Sequence, residues 1–151
     1  MTEKYDAEAA LAAVRQSDHN LSRHIRWPFW RHAAAGLLQA ILVFTWAVPM
    51  PWAAITLGLG LFGIWAIAAS DRKLHGMFVN GWTSTAARPA VWLAIAATLA
   101  GFAAISMAAG EVNRWTPLAI PIALAVFLVV TVSSIWWERL YRAELTRDKS
   151  R

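Results

Sequence analysis

The chain has 151 residues, 58% of them hydrophobic and only 15% charged, against about 25% charged in an ordinary soluble domain. The length suits one domain, and the lack of cysteine excludes disulfides and thiolate metal sites. A net charge of +5 would suit a nucleic-acid binder, but the placement of the charges points to a membrane instead.

Residues 1–32 are expected to be cytoplasmic. No signal-peptide pattern opens them, since a basic n-region does not lead directly into a short apolar run. Residues 2–17 suit a short amphipathic helix, rich in Ala, with Tyr5, Leu11 and Val14 apolar and acids in its first turns. Such a helix would lie on the membrane surface or the bundle, or dock a partner.

From Ala33 to Ser70 no charged side chain occurs in 38 residues. One helix of that length would reach about 57 Å, nearly twice the roughly 30 Å hydrocarbon core. It must fold back, and Pro49-Met50-Pro51 marks the place, because proline removes amide donors and favours a turn. This predicts spans at 33–48 and 52–70, followed by a cytoplasmic loop at 71–88. A third span is expected at 89–110, with Pro89 in its first turn. A fourth is expected at 116–137, with Thr116 as N-cap, Pro117 as first helical residue and Pro121 placed to kink that end. A basic tail, 138–151, closes the chain. The fold class is therefore an all-α membrane protein of four spans arranged as two helical hairpins. Arg26-Trp27-Pro28-Phe29-Trp30 before span 1 and Arg88-Pro89-Ala90-Val91-Trp92 at span 3 fit an internal duplication or boundary composition alone.

Orientation follows from the Lys and Arg residues. Thirteen of the 14 lie in the N-terminal segment, the middle loop and the tail, and Arg114 alone lies in a turn on the other side. The excess of cytoplasmic Lys and Arg in inner-membrane proteins places both termini and the middle loop inside. The tryptophans agree, since their rings favour the headgroup level. Trp46, Trp52 and Trp115 fall at the outer boundary, and Trp27, Trp30, Trp92, Trp136 and Trp137 at the inner one.

Two spans carry small-residue faces. Span 2 has Thr56, Gly60 and Gly63, with Ala54-x-x-x-Gly58 beside them, and span 3 has Ala96, Ala100, Ala104 and Ala108. Small residues let helix backbones approach closely in lipid. These faces are candidates for packing within the monomer or for an oligomer interface.

Little in the chain carries chemistry. No ionisable residue falls inside the expected spans, which argues against proton-coupled transport. Gln39 is the strongest polar group there, suited to an interhelical hydrogen bond or, alternatively, a solute contact. His19, His24, His32 and His75 form no helical pair that would hold metal or haem, so no cofactor is expected. Gly58-Leu59-Gly60-Leu61-Phe62-Gly63 matches a nucleotide-loop spacing but lies mid-span without a preceding strand. In the middle loop, Asn80, Trp82 and Ser84 are candidates for an interfacial site. The basic residues suit anionic lipid headgroups, and nucleic acid is not an expected partner.

Trp27-Pro28-Phe29-Trp30, Phe78-Val79-Asn80-Gly81 and the run from Trp137 to Leu145 resemble a family of small, uncharacterised four-span bacterial membrane proteins. Trp82-Thr83-Ser84-Thr85 departs from the more basic pattern of that family. The resemblance implies the fold and no activity. The function expected is that of a non-enzymatic inner-membrane protein, self-associating or serving as an accessory or regulatory subunit of a membrane complex. The alternatives are a small transporter or channel for a neutral solute and an interfacial lipid-acting enzyme.

Overall fold

The computed structural model describes residues 27–75 and 84–147, with side chains except at 71–75 and 145–147. These residues form four helices: α1 (Phe29–Thr45), α2 (Trp52–His75), α3 (Arg88–Ala109) and α4 (Ala119–Arg147). Three are long and apolar enough to cross a membrane, through Trp52–Ser70, Arg88–Ala109 and Ala119–Glu144, as an integral membrane protein requires. At 17 residues α1 is the shortest, about 26 Å long at the usual rise.

The helix ends depart from the charge-bounded spans in a consistent way. α1 begins at Phe29, ahead of the expected 33, and α4 continues past 137 to Arg147. Arg and Glu propagate a helix nearly as well as Leu, so a charged residue marks a change of solvent and does not stop the hydrogen-bond ladder. At the start of α4, Thr116 and Pro117 sit in a turn closed by the Ala119 N–H on the Thr116 carbonyl at 3.1 Å. The helix begins at Ala119, which leaves Pro121 in its first turn, where a missing N–H breaks no bond.

The breaks follow local chemistry. α1 ends before Pro49 and Pro51, neither of which can donate to a helical carbonyl. α3 ends at Gly110, whose φ of +72° is the left-handed cap that glycine adopts without strain. The Asn113 N–H then reaches across to the Trp46 carbonyl at 2.8 Å, tying the α3–α4 turn to the end of α1.

Side-chain pairs fix how the helices run. Thr45, Leu42 and Leu38 of α1 meet Thr56, Gly60 and Gly63 of α2 in reverse order, so these two are antiparallel. Gln39 and Val43 of α1 meet Thr98 and Gly101 of α3 in the same order, so α1 and α3 are parallel. His32 and Gly36 face Ser134 and Thr131, which sets α4 antiparallel to α1. The core lies among α1, α3 and α4, with Val43, Ala47, Ile105, Ala119, Val126 and Val130 buried together. α2 packs on α1 and has no substantial contact with α3 or α4. Its residues Leu59, Leu61, Phe62 and Trp65 are exposed.

Candidate functional site

The main polar cluster among the described residues lies where α1 and α3 begin and α4 leaves the bundle. His32, in the first turns of α1, is only 3% exposed. Its Nε2 is 2.8 Å from Glu138 Oε2, and its Nδ1 is 2.8 Å from Ser134 Oγ. A carboxylate oxygen accepts, so Nε2 donates to Glu138, and Nδ1 shares a hydrogen bond with the Ser134 hydroxyl. Glu138 is also held from the other side by Arg142 Nη2 at 2.7 Å. Ser134, Glu138 and Arg142 recur every four residues and so share one face of α4.

The same end is closed by aromatic packing. Trp27 stacks on Trp137 at 5.2 Å between centroids, and Trp137 on Tyr141 at 5.1 Å. The Arg31 guanidinium covers the Trp27 ring at 4.2 Å, a cation–π contact. Trp27 is therefore buried in the bundle, whereas Trp30, Trp92 and Trp136 are exposed.

A second carboxylate is drawn inward from α4. Ser84, 2% exposed, donates to Glu144 Oε2 and accepts the Ala87 N–H at 3.1 Å. Ser84 thus both shapes the turn into α3 and ties it to α4. Deeper in the bundle, Ser133 Oγ donates to the Ala90 carbonyl at 2.5 Å.

The other residues singled out in the sequence fall as follows. Thr56 Oγ1 meets Thr45 Oγ1 at 3.1 Å, and Gly60 and Gly63 admit the Leu42 and Leu38 side chains, so this face of α2 lies on α1. Ala96, Ala100 and Ala108 are exposed and Ala104 is half-buried. Gln39 is half-buried and its Oε1 accepts from Thr98 Oγ1 at 3.4 Å. Asn80 and Trp82, like the proposed helix at 2–17, lie outside the described residues. The tie that sequence reading missed is His32–Glu138. The spans were bounded at Ala33 and Trp137, one residue inside each partner. The signal available was the spacing Ser134, Glu138, Arg142, polar residues that recur on one face of α4.

Ser134, His32 and Glu138 stand in the order of a nucleophile, base and orienting carboxylate. Ser134 sits inside α4, however, where neighbouring N–H groups are committed to the helix. The backbone donors that stabilise an acyl-transfer oxyanion are therefore not supplied by this segment. What the arrangement does is join three helices at one end through hydrogen bonds to His32, Glu138 and Ser84. Comparison of the chain with protein-family models, curated proteins and solved structures finds no match.

Proposed function

We propose that the chain is a four-span protein of the bacterial inner membrane, with α1 as the fourth span. In this reading the helices form two hairpins with both termini and the 71–88 loop cytoplasmic, and the protein acts by helix–helix association without catalysing a reaction. The association is with a second copy, or with a larger membrane complex that the chain serves as an accessory or regulatory subunit. The charge split and the tryptophan positions support the orientation.

Gly58 carries the association reading. At Gly36, Gly60, Gly63 and Gly101 an added Cβ would meet an atom of another helix at less than 3.0 Å, so packing within the chain accounts for each glycine. Around Gly58 nothing lies within 4 Å. A mid-helix glycine costs about 1 kcal/mol relative to alanine, and here the monomer offers no close approach in return. Ala54, one turn earlier, is exposed too, and α2 touches little besides α1. A small-xxx-small face left open in this way suits a second transmembrane helix.

The test is the mass of the full-length protein in mild detergent and in nanodiscs, by mass photometry or native mass spectrometry. Wild type is expected as a multimer or with a co-purifying membrane protein, and Gly58→Leu as a monomer. A wild type that is strictly monomeric and brings down no partner removes the proposal.

A further inference from the structure

We infer that the end of the bundle where α3 begins and α4 leaves binds anionic phospholipid headgroups. Arg88 and Arg139 are the phosphate contacts, and Trp92 and Trp136 lie against the glycerol and upper acyl region. The inference rests on the membrane reading but not on association.

The carboxylates are the decisive observation. Glu138 and Glu144 would be expected to neutralise the arginines around them. Both are turned into the bundle, Glu138 onto His32 and Arg142 and Glu144 onto Ser84. Arg88 and Arg139 remain exposed, and among the described residues neither forms an ion pair. Among the described side chains at this end Arg31, Arg88, Arg139 and Arg142 outnumber Glu138 and Glu144, and the exposed ones are cationic.

Each exposed arginine has an exposed tryptophan on its own helical face. Arg88 and Trp92 are four residues apart on α3, and Trp136 and Arg139 three apart on α4, spacings that bring side chains together. Trp92 is 60% exposed and Trp136 40%. The Ser133–Ala90 hydrogen bond sets Arg88 and Trp136 at about the same level along the bundle. An amphipathic ring beside a guanidinium matches a phosphate with acyl chains below it. At the opposite end Glu111 and Arg114 are both exposed and balance, so charge complementarity selects one end.

The test is native mass spectrometry of the full-length protein in micelles with equimolar phosphatidylglycerol and phosphatidylcholine. Phosphatidylglycerol adducts are expected to be retained preferentially. Retention should fall about fivefold for each arginine removed in Arg88→Gln and Arg139→Gln, and stay unchanged in Arg114→Gln. Both arginines are exposed, so helical content by circular dichroism should match wild type and separate loss of binding from loss of fold. Equal retention of the two lipids overturns the inference, as does an equal loss in Arg114→Gln. Displacement of the lipid by the same concentration of free glycerol phosphate also overturns it, since the surface would then read phosphate alone. Lipid preference is scored on monomer and multimer peaks separately, so failure of association leaves it measurable.

Discussion

Replacing Gly36 by alanine probes the closest approach in the bundle. The added Cβ would overlap Thr131 Oγ1 and stand 2.6 Å from the Phe127 carbonyl oxygen. The threonine hydroxyl can rotate away, but the carbonyl belongs to the backbone of α4 and cannot. α1 and α4 must therefore part by about 1 Å, a form of overpacking that costs roughly 1–3 kcal/mol. His32 lies one turn away with both bonds to α4 at 2.8 Å, and parting the helices weakens them by about 1 kcal/mol more. Better helix propensity returns about 1 kcal/mol, leaving a net loss on the order of 2 kcal/mol. The assay is SDS-induced unfolding of the full-length protein in mixed micelles at monomeric dilution, followed by tryptophan fluorescence. Gly63→Ala is the first control: its Cβ overlaps only the Leu38 Cδ2 methyl, the far end of a side chain that can turn away. Gly58→Ala, with open space around it, is the second. Both should lie within about 1 kcal/mol of wild type. If Gly36→Ala is as stable as Gly58→Ala, α1 and α4 do not approach as described.

His32→Leu should lower stability by about 2–3 kcal/mol, because Glu138 keeps Arg142 but loses its buried donor and Ser134 loses its partner. In a double-mutant cycle with Glu138→Leu, the paired loss should fall short of the sum by about 1–3 kcal/mol; strict additivity would sink the tie. Wild-type protein should be inert to a fluorophosphonate probe, since the N–H groups of the α4 segment around Ser134 are committed to the helix. Labelling that disappears in Ser134→Ala would make that serine a nucleophile instead. Gln39→Leu should change stability by under about 1 kcal/mol, because its bond to Thr98 is long at 3.4 Å. A larger effect on solute flux in proteoliposomes than on stability would favour the channel alternative.

Features set by composition were legible in the sequence, and features set by contact were not. The turn at Pro49 and Pro51 and the starts of α2 and α3 could be read because proline and charge act locally, whatever the rest of the chain does. The small face Thr56, Gly60 and Gly63 could be read as a place of close approach, yet nothing in it names Leu38 and Leu42 as what approaches. Gly58 carries the same signal two residues away and faces nothing in the chain. Only coordinates separate a glycine that has found its neighbour from one that has not. His32 was missed for a different reason. Bounding spans by charge removes every ionisable residue from the interior by definition, and so places the buried His32 and the mostly buried Glu138 outside it.

Glu138 is an acid whose surroundings in the fold differ from those its sequence neighbours suggest. Beside Arg142 at a spacing of four, it reads in sequence as half of a solvated helix pair, worth a few tenths of a kcal/mol. In the fold its second oxygen turns to His32 and its side chain is mostly buried. Glu144 does the same with Ser84. These carboxylates fasten α4 to the starts of α1 and α3, and neither is an ion-pair partner of Arg88 or Arg139. One set of bonds therefore closes the bundle and leaves Arg88 and Arg139 exposed, as the proposed headgroup contact requires. Stability at this end and the charge of its surface are coupled, because a variant that frees Glu138 also returns a negative charge to the rim.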